Sequence, residues 1–403
     1  MSKKILLAIT GGIAAYKSCE LVRLLKKQGH NVTVAMSQAA TEFIAPQTFQ
    51  ALSGNPVLTQ QGGDGNGMAH INATRAADIM LIAPATANTL AKIAHGIADN
   101  IITEMAAARN CPLVVAPAMN VEMWHNPANQ RNIKQLAADG VHILQPAHGE
   151  QACGEIGVGR MLEAAEIAEL LPDAWATKSL IHQKILITTG ATYEAIDPVR
   201  GITNISSGQM GVALARACRR AGAQVFLVYG KIQTALPIGM AHYECAESAL
   251  AMYEAVFRLK NQIDGFISVA AVADYRVANT AAHKLKKDGT GQPPTIELTE
   301  NPDILQSVAQ SESAPFCVGF AAESENVLAY ARAKRAKKGV PLLVANDVSI
   351  AMGKTTNQVI LLDDFAETML PEMSKDDVAN AIVARMAELM NQHVQPTEFV
   401  LTQ

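Results

Sequence analysis

The sequence predicts an α/β protein made of two doubly wound, Rossmann-like or flavodoxin-like domains with mostly parallel sheets, joined by a short linker. Three observations carry this. The apolar run Lys3–Thr10 ends in Gly11-Gly12 and is followed by a helical pattern and a second apolar run. The same opening recurs at Lys184–Gly190. The runs Asp78–Ala83 and Pro112–Ala116 are apolar without alternation, as in strands covered on both faces. Strand, glycine turn, helix and second strand make the βαβ start of a doubly wound sheet. A chain of 403 residues also exceeds what one ordinary core serves.

Taken in order, the helical pattern Ile13–Gln28 is stopped by Gly29, and Asn31–Met36 reads as the second strand. In the second half, Ser206–Gly211 opens a helix that runs to Ala221, and Gln224–Tyr229 is the next strand. Further strands are expected at Gly265–Ala270, Phe316–Gly319 and Pro341–Asn346. The expected domains are 1–172 and 184–403 with a linker at 173–183, and a loose tail after Gln392.

Composition narrows the function. Hydrophobic residues make up 49% and charged residues 17%, which is globular rather than disordered. A net charge of −4 offers no basic field for a nucleic acid or an anionic membrane. The six cysteines form no C-x-x-C pair and read as thiols of a reducing compartment. Gly11 and Gly12 interrupt the first apolar run, so no signal peptide is expected, and no run of eighteen apolar residues spans a membrane. A cytoplasmic location is the expectation.

Ligand sites of such folds lie at the carboxyl ends of the strands, so the loops there carry the functional reading. The turn Thr10–Tyr16 opens a helix whose free N–H groups can hold a phosphate. It lacks the G-x-G-x-x-G spacing, so a mononucleotide such as FMN fits better than a dinucleotide. Gly11, Gly12 and Ile13 are the candidate cofactor contacts there, and Ser37 can add a hydroxyl. Thr86 and Asn88 suit a flavin edge or serve as helix caps. His70 follows the glycines Gly62, Gly63, Gly65 and Gly67, and is either a base or a surface histidine. Asn120, in Pro117–Trp124, can donate and accept, or cap the next helix. Cys153 lies in the glycine-rich stretch Gln151–Met161, where a thiol can deliver a proton.

Together, Gly11–Lys17, His70, Pro117-x-Met119-Asn120-x-x-Met123-Trp124 and Ala152-Cys153-Gly154 resemble the homo-oligomeric flavin-containing cysteine decarboxylases. The resemblance implies bound FMN and the substrate 4′-phosphopantothenoylcysteine. It implies thiol oxidation to a thioaldehyde, loss of CO2, and reduction of the enethiol to 4′-phosphopantetheine. By the same resemblance His70 works near the carboxylate, Asn120 fixes that carboxylate, and Cys153 donates the last proton.

The second half has its own cluster. Arg200, Asn204 and the glycine-rich start Ser206–Gly211 suit an anionic group. Asp274 and Arg276 follow the strand that ends in Ser268-Val269-Ala270, and Lys284 lies on the loop beyond with Lys286 and Lys287. Asn301-Pro302-Asp303-Ile304 starts a helix, Phe320 sits at a strand end, and Lys334 and Lys338 close the next helix, where basic residues also suit the dipole.

From residue 184 to about 390 the chain resembles phosphopantothenoylcysteine synthetase, the ligase fused to this decarboxylase in bacteria. That implies CTP with Mg2+, an acyl-cytidylate from 4′-phosphopantothenate with loss of pyrophosphate, and displacement of CMP by cysteine. It places Asn204 and Arg200 on the acyl part. Ser268, Val269, Ala270, Asp274 and Phe320 fall around the cytidine. Lys284, Lys334 and Lys338 face the phosphates, with Asn301, Pro302, Asp303 and Ile304 alongside. It also implies a homo-oligomer, with decarboxylase trimers and ligase dimers in an assembly of up to twelve chains. Ala191 and Gly201 depart from the family pattern, which usually has Gly or Pro and a bulky residue there. Two other classes stand beside this one. A tandem NAD(P) oxidoreductase would need the G-x-G-x-x-G turn, and a non-catalytic flavoprotein regulator would have lost His70 or Cys153.

Overall fold

The computed structural model describes residues 2–59, 68–286, 295–323, 326–347 and 356–393. Gly62, Gly63, Gly65, Gly67, Lys287 and the tail from residue 394 on lie outside them. The chain forms two compact units, Met1–Trp175 and Ala176–Gln403. Within the segment expected as a linker, Trp175 packs on the first unit's core and Leu180 is buried in the second's.

The first unit is built on five parallel strands: β1 (Lys4–Ile9), β2 (Asn31–Met36), β3 (Ile79–Ala85), β4 (Leu113–Pro117) and β5 (His142–Ile143). Their order is β2-β1-β3-β4-β5. Successive residues of a strand face opposite sides, and both sides here are covered. Ile5, Leu7 and Ile9 join one core layer, while Leu6 and Ala8 join the other. That double burial is why the runs read as uninterrupted apolar stretches. A hairpin of β6 (Ala147–Glu150) and β7 (Ile156–Arg160) follows the sheet.

The second unit repeats the plan on a larger sheet. Its strands are β8 (Lys184–Thr189), β9 (Tyr193–Ala195), β10 (Gly201–Thr203), β11 (Gln224–Tyr229), β12 (His242–Cys245), β13 (Gly265–Ser268), β14 (Tyr275–Val277) and β15 (Leu298–Glu300). Then come β16 (Phe316–Glu323), β17 (Leu342–Asp347), β18 (Thr356–Asn357), β19 (Val359–Leu362), β20 (Glu367–Met369) and β21 (Met373–Ser374). The main sheet runs β12-β11-β8-β13-β16-β17-β19-β20. It is parallel through β17, and β19 and β20 add antiparallel. Ile185 and Ile187 face one core layer and Leu186 the other.

Chain order reverses at β1 in the first sheet and at β8 in the second. The crevice outside the carboxyl ends at such a switch point is where doubly wound folds bind ligands. Both candidate sites lie there.

Candidate active sites

In the first unit the switch point brings the β1, β2 and β3 turns together. Thr10 Oγ1 donates to the Pro84 carbonyl at 2.7 Å and accepts from the Thr86 N–H at 3.2 Å. Thr86 Oγ1 also accepts from Thr89 N–H at 3.3 Å, so Thr86 caps its helix while its loop borders the turn. Asn88 is exposed in the first turn of that helix. Ser37 caps the short helix Gln38–Thr41. A Cβ on Gly11 would lie 2.5 Å from the Ala39 Cβ, so this position needs glycine for the turns to meet. Ile13 is exposed above the turn. Lys17 is held inside the unit by Glu163 at 2.7 Å and the Met161 carbonyl at 3.0 Å. That pairing, with Arg160, holds the Glu163 carboxyl below its ordinary range.

The β4 turn and the hairpin build the chemical end. Asn120 Oδ1 accepts from the Glu122 N–H at 2.8 Å and so caps the helix Val121–His125. Its Nδ2 is left to point the other way, and donates to Glu155 Oε2, to Gln151 Oε1 at 3.4 Å and to Cys153 Sγ at 3.4 Å. The cap and the functional reading of Asn120 therefore hold together. Gln151 Oε1 also accepts from Val121 N–H at 3.0 Å. Two glycines let the hairpin approach. A Cβ on Gly157 would lie 2.4 Å from Val121 Cγ2, and one on Gly159 would lie 2.3 Å from the Met119 carbonyl.

Glu155 and Gln151 escaped sequence reasoning as site residues. Their signal was nothing more than membership of the glycine-rich stretch around Cys153. His70 is half-buried in the helix Ala69–Ala76, and among the described residues its side chain makes no hydrogen bond with Asn120 or Cys153.

Comparison with known proteins settles the family. The Flavoprotein family model matches residues 1–174, and the model of the DNA/pantothenate metabolism flavoprotein C-terminal domain matches residues 180–390. The chain is 46% identical over 395 residues to the coenzyme A biosynthesis bifunctional protein CoaBC of Vibrio vulnificus, covering 96% of this chain and 98% of that one. The chain belongs to the CoaBC family. A second CoaBC relative, from Bacillus subtilis, is 41% identical over 400 residues, covering 97% and 98% of the two chains. A solved C-terminal domain of CoaBC is 34% identical and covers 54% of this chain and 100% of its own, with a TM-score of 0.46.

The half that matches the family's C-terminal domain has a cavity of about 980 Å³ at its switch point. It brings together most of the residues expected there: Asn204, Ser268, Val269, Ala270, Asp274, Asn301, Pro302, Asp303, Ile304, Phe320, Lys334 and Lys338. Asn204 Nδ2 donates to the Val272 carbonyl at 3.1 Å, and Asn301 Nδ2 to the Ala273 carbonyl at 2.9 Å. Asp303 caps the helix Ile304–Ala309 and pairs with Lys338 at 3.1 Å.

Arg200 and Lys284 are not among the cavity-lining residues. The Arg200 guanidinium pairs with the buried Asp197 carboxylate and donates to the Leu285 carbonyl at 2.8 Å. Asp197 Oδ2 accepts in turn from the Leu285 N–H at 3.1 Å. This network holds the Asp197 carboxyl far below its ordinary range, chiefly through Arg200. Arg200 thus fixes the loop that carries Lys284, which is exposed.

One of the two departures has a physical explanation. A Cβ on Gly201 would lie 2.4 Å from Tyr193 Cζ, so the Tyr193 ring takes the space of a side chain there. Lys231 Nζ stacks over that ring, 3.3 Å from its centroid. Ala191 is buried and exchanges two backbone hydrogen bonds with Lys231, while its neighbours Gly190 and Thr192 bond to Ala271; nothing in the structure explains its departure from the pattern.

Proposed function

We propose that residues 1–172 form an FMN-dependent phosphopantothenoylcysteine decarboxylase and residues 184–403 a CTP-dependent phosphopantothenate–cysteine ligase, with 173–183 between them. The ligase acts first and feeds the decarboxylase. The observation that carries the decarboxylase is the meeting of Asn120 and Cys153 at the carboxyl edge of the sheet that holds the Gly11 turn.

The Gly11-Gly12-Ile13 turn, Ser37 and Thr86 suit a flavin mononucleotide, because a glycine cradle at a helix start offers bare N–H groups to a phosphate. Asn88 is the exposed residue in the first turn of the helix that Thr86 caps. When bound, the flavin supplies the two-electron redox chemistry. The chain's own residues do the rest. Asn120, oriented by its cap bond, presents Nδ2 to the substrate carboxylate in place of Glu155. Cys153 Sγ, within reach of the same amide, gives a proton to the enethiolate carbon once CO2 has left. His70 takes the base role near the carboxylate.

In the ligase, the phosphopantothenate carboxylate attacks the α-phosphate of CTP, releasing pyrophosphate, and the cysteine amine then displaces CMP. Asn204 holds the acyl part, and Arg200 supports it by fixing the Lys284 loop. Asp274, Phe320 and Ser268–Ala270 border the cytidine, and Lys334 and Lys338 serve the phosphates from the cavity wall, joined by Lys284 from its exposed loop outside that lining. Among the described residues no group of three or more His, Cys, Asp and Glu side chains could hold a metal ion. Mg2+ enters with the triphosphate, whose oxygens are the hard donors it prefers. The protein works in the cytoplasm as a homo-oligomer, with trimeric decarboxylase and dimeric ligase parts in assemblies of up to twelve chains. Among the described residues no helix is long and apolar enough to cross a membrane.

The test is incubation of the purified chain with 4′-phosphopantothenate, cysteine, Mg2+ and either CTP or ATP. CMP release with CTP, and little AMP with ATP, supports the ligase as stated. Equal use of both nucleotides removes the CTP assignment, and use of neither removes the ligase.

A further inference from the structure

Among the polar side chains that line the ligase cavity outside the expected nucleotide set, two stand out for their buried, under-satisfied groups. Asn357 is 5% exposed, and its Oδ1 has no hydrogen-bond partner among the described residues. Lys375 is half-buried, and its Nζ donates to Gln209 Oε1 at 3.0 Å. Among the described residues it forms no ion pair, and burial lowers its pKa.

Topology brings the two to one wall. The β18–β21 ladder pairs Asn357 with Met373 and Thr356 with Ser374, and the helix Lys375–His393 begins at the next residue. The nucleotide residues come from other elements: the β13 and β16 strands, the Asn301–Ile304 turn and the helix Val327–Lys338.

A buried amide oxygen without a donor is costly, and a native protein keeps one where a ligand supplies the hydrogen. An ammonium partnered by a neutral amide calls for an anion. A phosphate answers the second need and fails the first, since its oxygens have no hydrogen to give Asn357. An α-amino acid answers both, with an amine and a carboxylate on one carbon.

We infer that Asn357 and Lys375 form the subsite for the amine and the carboxylate of the ligase's amino-acid substrate, cysteine. The inference rests on the ligase reading above. Asn357 Oδ1 accepts an amine N–H, which leaves the nitrogen lone pair free to face the activated acyl group. Lys375 holds the carboxylate.

Two assays separate the outcomes. Exchange of labelled pyrophosphate into CTP, with 4′-phosphopantothenate present, needs no cysteine. Asn357→Ala and Lys375→Met, each in the full chain, are expected to raise the KM for cysteine about tenfold or more while exchange and the KM for CTP stay within about twofold. Lys375→Arg restores cysteine use in part, and Asn357→Ser, with a hydroxyl acceptor, gives an intermediate effect. Thermal melts matching the unaltered chain establish that each variant is folded. An unchanged KM for cysteine in both folded variants overturns the subsite. So does loss of exchange in step with ligation, which assigns the pair to the nucleotide's hydroxyls and phosphates. If the unaltered chain shows no exchange, the ligase reading itself falls, and the subsite with it.

Discussion

Asn120 Nδ2 stands 3.4 Å from Cys153 Sγ, across 33 residues of chain, while the other end of the same amide caps a helix. One side chain is therefore oriented by local structure and presented to a thiol by tertiary structure. Substitutions can separate the two duties. Asn120→Asp keeps an oxygen for the Glu122 N–H and removes the donor, so the helix cap should survive while decarboxylation falls by about two orders of magnitude or more; the new carboxylate faces Glu155, so any loss in melting temperature should shrink on acidification. Asn120→Ala should lose activity and also about 0.5–2 kcal/mol of stability with the cap. A fully active Asn120→Asp enzyme would show that the amide N–H is not used.

The flavin cradle depends on a backbone approach with no spare volume. Gly11→Ala would press its Cβ to 2.5 Å from Ala39 Cβ and part the turns that meet at the switch point. The purified variant should carry much less flavin per chain by visible absorbance. The same unit should still fold, since the apolar layers beneath the turn are untouched. Flavin content equal to the unaltered chain would place the cofactor elsewhere.

In the ligase, Tyr193 fills the place of the missing side chain at Gly201. Gly201→Phe alone should displace the ring and its Lys231 contact, raising the KM for 4′-phosphopantothenate. Combining it with Tyr193→Ala should recover part of the loss, as contacting residues couple in a double-mutant cycle, while the Glu194 carbonyl, 2.7 Å from the same Cβ, keeps the rest. Additive effects would mean that the two positions do not share one space.

The Asp197–Arg200 pair gives a pH signature. The folded carboxyl is held below its ordinary value, so its contribution is present above the unfolded value, near 3.9, and is lost as pH falls through the folded one. Asp197→Asn should lower the melting temperature by a constant amount across neutral and mildly acidic pH, and the deficit should shrink below about pH 4. A deficit that grows on acidification would contradict this pairing.

Much of this was readable because burial on two faces writes itself as uninterrupted apolar runs. Ile79–Ala85 and Leu113–Pro117 are such runs, and the glycine turns behind the first strands locate the crevices. The antiparallel extension β19–β20 was not read, because Glu367–Met369 is three exposed residues without a period. Pairings of polar side chains were hidden for another reason. Lys375 meets Gln209 across 166 residues, and Asn357 sits on a two-residue strand that shows no pattern until it pairs. Arg200 is expected to hold the acyl part, and sequence alone did not mark the buried Asp197 carboxylate as the partner that its guanidinium has here.

The most direct test gives the Cys153→Ser chain 4′-phosphopantothenoylcysteine and follows CO2 and 4′-phosphopantetheine in a single turnover. The account predicts CO2 release without 4′-phosphopantetheine, because oxidation and decarboxylation proceed while the final proton is not delivered. Normal yields of 4′-phosphopantetheine from this variant would contradict the role assigned to Cys153 and the site built around it.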